Sequence, residues 1–218
     1  DDPSRIIRCA KYASRLGFDI SNNSLKQFQE TVKRWPWECS RTNEKMIFPP
    51  AIGIRIRMEL SEIYKYDNLQ NIVSIIHRWG IISILNEDIQ VDKRFIRGLN
   101  WTKKLNGNFI LFLIKDAKDL DKACQRFLMN NSEKKILKDF LDIKKILKVE
   151  KEKYINYSPS SWTEFIEKRN LNEETVKLLI CDGSLFWRNL FRWLLIYKYI
   201  KSKKDGETLK KEGWESGK

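Results

Sequence analysis

The chain has 218 residues and a formal charge of +13, with 42 Lys and Arg against 29 Asp and Glu. That length buries one sizeable core or a few small helical modules, and the charge makes nucleic acid the first partner to consider. A single histidine, four scattered cysteines, 9 Gly and 5 Pro exclude a histidine-based triad and a multi-histidine metal site, and they favour an all-α fold.

The first predicted element is a helix opened by Asp2 and Pro3. A carboxylate accepts the open N–H groups of a first turn, and Pro suits the first helical position because its N–H is not needed there. At about 100° per residue, Ile6, Cys9, Ala10, Ala13 and Leu16 gather on one side. Arg5, Arg8, Lys11, Tyr12 and Arg15 gather on the other, and Gly17 supplies a C-terminal stop. The bare pattern is an amphipathic helix with a solvated basic face. Arginine, however, holds planar, bidentate partners such as bases and phosphates better than lysine does.

A second helix is expected from Ser24 to the Trp35-Pro36-Trp37 turn, where Pro36 disfavours helix in the residue before it. Beyond Phe48-Pro49-Pro50-Ala51, residues 55–63 read as a third helix, with Arg55 and Glu59 spaced for an intrahelical pair. A helix pair broken by Gly80 is expected over 69–85, and it carries His77 as a structural residue. Further helices are expected over 101–114, 117–130 and 132–153, the last with a lysine-rich solvated face. Tyr157 to Ser161 reads as a linker, with Ser160 or Ser161 capping the next helix. In the last helical stretch, Phe186, Leu190 and Trp193 are expected in the core, with Arg188 and Arg192 left as phosphate contacts.

Cys9, Cys39, Cys124 and Cys181 form no CxxC pair, so neither a zinc site nor a disulfide framework is expected, and a reducing, cytoplasmic compartment fits. No membrane is expected as a partner. The apolar run 109–114 is short, and 185–200 is interrupted by Arg188, Arg192 and Lys198.

The opening run Asp-Asp-Pro-x-Arg-x-x-Arg-x-x-x-Tyr-x-x-x-Leu-Gly-Phe resembles the Glu-Asp-x-x-Arg motif and following helix of class II tRNA nucleotidyltransferases. These are the CCA-adding enzymes, grouped with bacterial poly(A) polymerases. Asp1 stands where the family usually has Glu. Arg55-Ile56-x-x-Glu59-Leu60 resembles a later family motif whose helix buttresses the nucleotide-binding helix, and 204–217 resembles the family's Gly-rich tail signature. Residues 79–85 resemble a family glycine-leucine-rich run, with Asn86-Glu87 in place of its Pro-Glu.

The resemblance implies an all-α, multi-helix elongated array. Its expected parts are a neck over 1–65, a body over 66–156 and a tail over 157–218. It implies that Asp2 and Arg5 read the Watson–Crick edge of CTP or ATP, with Arg8 supporting Arg5 or meeting phosphate. Lys11, Arg15, Arg188 and Arg192 are the expected contacts to the acceptor arm of tRNA. It also implies Mg²⁺, held by an Asp-x-Asp pair on a strand of an α/β head domain placed upstream of Asp1. Asp119-Leu120-Asp121 is not that pair, because it falls in a helical pattern where residues two apart point in roughly opposite directions. On this reading the residues in hand are catalytically silent alone, with no catalytic or metal-binding residue of their own. The alternatives are a poly(A) polymerase, a relative adding only CC or only A, and a non-catalytic helical RNA-binding protein.

Overall fold

The computed structural model describes residues 2–34, 50–200 and 211. Asp1, Cys39, the Trp35-Pro36-Trp37 turn, the Phe48-Pro49 step and the tail signature over 204–217 lie outside the described residues, Lys211 excepted. Among the described residues the secondary structure is entirely helical, with twelve α-helices and two short 3-10 turns.

The N-terminal group comprises α1 (Ser4–Leu16), α2 (Asn22–Lys33), α3 (Pro50–Lys65) and α4 (Leu69–Arg78), with α1 lying against both α3 and α4. Helix α1 buries Ser4, Ile6, Ile7, Ala10 and Ala13. Ile7 thus replaces Leu16 on the expected apolar side. Leu16 stands 64% exposed in the last turn, where Gly17 (φ +70°) turns the chain away. Helix α2 starts at Asn22 rather than Ser24, because extended Ser21 is its cap and accepts from the Ser24 N–H at 3.2 Å. Gln29 of α2 donates to the Trp79 carbonyl at 3.0 Å, tying α2 to the end of α4. The expected helix pair over 69–85 is one helix and a 3-10 turn at Ile82–Ile84. After left-handed Gly80 (φ +71°) the chain does not re-enter an α-helix there. His77 is on α4 as expected, but it faces solvent and fills no core position.

The expected 101–114 helix is two. Helix α5 (Lys93–Lys104) is capped by Asp92, and the chain breaks at Asn106 (φ +49°) before α6 (Phe109–Ile114). Asn108 caps α6 by accepting from the Ile110 and Leu111 N–H groups. All six residues of α6 are buried, and the helix touches α3, α5, α7 and α11. A short helix with no polar face forms only when surrounded. Each fully buried large apolar side chain here supplies about 1.5–3 kcal/mol of burial free energy.

Asp119 caps α7 (Leu120–Arg126) by accepting from the Lys122 N–H at 2.9 Å, and Asp121 is an exposed residue of its first turn. Helix α8 (Asn131–Val149) opens with a reciprocal capping box between Asn130 and Glu133. Next come α9 (Lys151–Ile155), α10 (Pro159–Lys168), α11 (Glu173–Asp182) and α12 (Trp187–Leu195), then a 3-10 turn at Tyr197–Tyr199. Ser158, not Ser160 or Ser161, caps α10. Across the expected body–tail boundary the packing is continuous. Tyr154, Tyr157, Trp162, Phe165 and Phe186 form one ring cluster, with Tyr154 and Tyr157 4.9 Å apart at their centroids. Helix α11 also lies against α5 and α8. Leu190 and Trp193 are buried as expected, and Phe186 is half-buried within that ring cluster.

Candidate nucleotide-selecting helix

The N-terminus of α1 rests on α3 through two ion pairs. Asp2 uses one carboxylate oxygen to accept the Ser4 N–H at 3.0 Å and the other to accept the Arg55 guanidinium at 2.8 Å. The Asp2 side chain is 17% exposed. Burial alone would raise its carboxyl pKa, but the hydrogen bonds from Ser4 and Arg55 outweigh burial and hold it below the ordinary carboxylate range. Helical dihedrals begin with Pro3, so Asp2 sits just before the helix and bonds inward from there.

One turn along, Arg8 directs both its Nε and one terminal nitrogen onto Oε1 of Glu59. Glu59 is buried, and its second oxygen has no hydrogen bond; the Lys11 ammonium lies 3.9 Å from it. The expected intrahelical Arg55–Glu59 pair does not form. Arg55 reaches Asp2, and Glu59 reaches Arg8 and Lys11, so both partners cross between helices. The sequence carried a signal for this. Glu59 shares the face of Ile56, Leu60 and Ile63, so the packing of α3 on α1 takes its carboxylate inside.

These pairs redistribute the residues expected on the basic face. Arg5 is exposed and has no acidic partner among the described residues. Arg8 is committed to Glu59. Lys11 is withdrawn from the open face, with its side chain 13% exposed and its ammonium between the rings of Tyr12 and Tyr66. Arg15 remains exposed in the last turn, and Tyr12 and Phe18 are exposed too, at 42% and 45%. Arg188 and Arg192 are exposed on α12, far along the chain from α1, and neither pairs with an acid among the described residues; Arg188 lies over the Trp187 ring at 5.5 Å.

The C-terminal end of α1 is pinned separately. Asp19 accepts the Trp79 indole N–H at 2.7 Å and the Arg78 guanidinium at 3.2 Å. Ser14 accepts from the side-chain amides of Asn68 and Asn71. Helix α1 is therefore held at both ends, and Arg5 projects from a fixed support.

Among known proteins, no family model and no curated sequence matches the chain. A solved structure described as the complex of a CCA-adding enzyme with ATP superposes on 100% of the chain, with a TM-score of 0.66 at 20% identity. The fold is shared with a CCA-adding enzyme. The chain spans 53% of that enzyme's length, so the likeness concerns about half of it.

Two polar clusters elsewhere were not evident in the sequence. Arg57 of α3 forks onto Glu133 of α8 (2.8 and 3.2 Å) and also donates to the Phe127 carbonyl. Asp182, at the end of α11, is buried and accepts from Lys115, Lys144, Arg94 and Ser184. The Asp182 group edges a cavity of about 290 Å³ that Asn86, Asp88 and Asp116 also line. Lys115, Lys144 and Arg94 all pair with Asp182, so the cluster is a structural junction of α5, α6, α8 and α11. Among the described residues no group of three or more His, Cys, Asp or Glu side chains gathers to hold a metal ion, and no helix is long and apolar enough to cross a membrane.

Proposed function

We propose that this chain is the base-selecting and RNA-gripping part of a tRNA nucleotidyltransferase, one that adds C and A to tRNA 3′ ends from CTP and ATP. The observation that carries the reading is the pair at the head of α1. Asp2 is an oriented, ionised carboxylate, and Arg5 is an exposed guanidinium one turn away with no acidic partner among the described residues. The likeness of the whole chain to part of a CCA-adding enzyme supports it.

The chemistry follows from donors and acceptors. Cytosine and adenine both present an exocyclic amino group beside an unprotonated ring nitrogen. Asp2 accepts from the amino group, and Arg5 donates to the ring nitrogen or to the neighbouring carbonyl of cytosine. Uracil and guanine present a carbonyl and a ring N–H at the same places, so each would set acceptor against acceptor and donor against donor. Because unpaired polar groups in a site are costly, such a pair discriminates strongly without any nucleic-acid template. The oxygens of Asp2 each keep a second lone pair after bonding Ser4 and Arg55, so the carboxylate is placed and still able to accept.

Arg15 on α1 and Arg188 and Arg192 on α12 are the proposed contacts to the tRNA backbone. Lys11, sequestered beside Glu59, acts as internal support. Mg²⁺ would supply charge stabilisation in phosphoryl transfer, but the described residues offer no fitting carboxylate set, so no transfer step is assigned to this chain. The test is product length on tRNA lacking its 3′ end, using the full-length protein with CTP and ATP supplied separately and together. Addition of two C and then one A supports the reading. A long A tail points to poly(A) polymerase, and RNA binding without any addition to a non-catalytic protein.

A further inference from the structure

We infer that Arg55 is a positioning residue that keeps the Asp2 carboxylate in an acceptor-only state, and thereby sets the fidelity of base selection. This deepens the reading proposed above and rests on it.

From its own helix Asp2 is held by Ser4 alone, whose N–H reaches Oδ1 at 3.0 Å and whose side chain also favours the ionised carboxylate. The Arg55 guanidinium, carried by α3, reaches Oδ2 at 2.8 Å. Two donors on two oxygens, from two helices, define the plane. The position of Arg55 is itself fixed, because Ile56, Leu60 and Ile63 of the same helix are buried and Glu59 grips Arg8 of α1.

The chemical consequence concerns errors. An ionised carboxylate only accepts, and so matches the amino groups of cytosine and adenine. A protonated one also donates, and so matches the carbonyls of uracil and guanine. The frequency of that mispairing follows the protonated fraction of Asp2, which changes tenfold for each unit change in its pKa. The side-chain and backbone hydrogen bonds from Ser4, with the hydrogen bond and charge of Arg55, hold that pKa down against burial, and removing Arg55 withdraws its share. The other charged groups around Asp2 among the described residues are Arg5 and Arg8 of α1, with Arg8 tied to Glu59 of α3. None of these bonds to the Asp2 carboxylate. Arg55 is 61% exposed at its side chain, so its loss should hardly disturb folding.

The test compares wild type, Arg55→Gln, Arg55→Lys and Asp2→Ala in the full-length protein, between pH 5.5 and 8. It scores insertion of UTP and GTP relative to CTP and ATP. Separately, the Asp2 carboxyl of wild type and of the two Arg55 variants is titrated by ¹³C NMR below about pH 5.5, through the carboxylate range. In Arg55→Gln, misinsertion should exceed wild type by the same factor across the assay range, about tenfold for each unit by which the measured Asp2 titration moves up, and in both proteins it should rise as pH falls. The Asp2 titration should move up in the same variant. Arg55→Lys should restore most of the fidelity, since it returns the charge. An Arg55→Gln enzyme with unchanged fidelity at every pH overturns the inference. So does one slowed equally on all four nucleotides without a pH trend, which marks a merely structural role. If Asp2→Ala keeps full discrimination, the base-selecting reading itself falls, and this inference with it.

Discussion

Asp182→Asn replaces a buried carboxylate by an amide of nearly the same shape and tests the charged junction beneath α11. The Asp182 side chain is 1% exposed, while its cationic partners Lys115, Lys144 and Arg94 are 9%, 34% and 58% exposed. Arg94 and Lys144 can turn to water when the carboxylate is removed, but Lys115 cannot, and it keeps only Asp116. Removing one member of a buried pair costs about 3–5 kcal/mol, and the nearby solvent places this case at the lower end, about 3 kcal/mol. For a chain of this size that lowers the melting temperature by about 6–12 °C.

The charge-dependent part can be isolated by pH. Burial pushes the Asp182 carboxyl up, but Lys115, Ser184 and Lys144 together bring it down to about 2, against an ordinary value of 3.8. A depressed folded-state value contributes stability that is complete above about pH 4 and is lost as pH falls through about 2. That contribution is about 2 kcal/mol. Urea unfolding of wild type and Asp182→Asn should therefore show a gap of about 3 kcal/mol at neutral pH that narrows by about 2 kcal/mol near pH 2. Other carboxylates titrate in both proteins and cancel. A gap that stays constant from neutral pH down to about pH 2 would refute the reasoning, because it would mean that the carboxylate is not held ionised by its neighbours.

Gly98→Ala tests the packing of α5 on α6 and α11. A Cβ there would lie 2.5 Å from the Cys181 carbonyl oxygen and 2.7 Å from the Phe112 ring, so a backbone shift is required. A destabilisation of about 1–3 kcal/mol is expected by thermal or urea unfolding, and a neutral result would mean that the helices do not approach so closely. Replacing Arg188 and Arg192 together by Ala should weaken binding of tRNA and of unrelated RNA alike. The dependence of log affinity on log salt should become shallower by about one for each phosphate no longer neutralised. An unchanged slope removes α12 from the RNA interface.

The opening helix was legible because three independent local signals agree: an acidic residue before Pro3, a basic stripe, and Gly17 at the stop. The outcome, Ser4–Leu16 with a left-handed Gly17, matches them. The lysine-rich helix expected over 132–153 was legible from its apolar stripe up to Val149, but the chain breaks at Glu150 into α8 and α9, and Asn130 and Glu133 form the capping box at its start. What escaped was set by partners distant in sequence. Helix α6 has no periodicity, since every residue is apolar, so its break from α5 at Asn106 was not visible, although the apolar run from Phe109 to Ile114 and its cap Asn108 are local. The pairing of Arg55 with Asp2 rather than Glu59 required knowing that α3 lies on α1. Asp182 reads as the polar end of an apolar helix until Lys115 and Lys144 arrive from beside α6 and from α8. Charged residues adjoining an apolar stripe were the common, and usable, hint at Glu59, Glu133 and Asp182, all three of which are buried.

The central proposal is that Asp2 is the acceptor that recognises an amino group on the incoming base. The most direct measurement is the relative kcat/KM for CTP, ATP, UTP and GTP in the full-length protein, wild type against Asp2→Ala, on tRNA lacking its 3′ end. Removing the carboxylate should collapse the preference for CTP and ATP by about a hundredfold or more, as expected for a site whose selectivity is built on a hydrogen bond, with the chain still folded. Retention of the wild-type preference at normal turnover would contradict the assignment of α1 as the helix that selects the nucleotide.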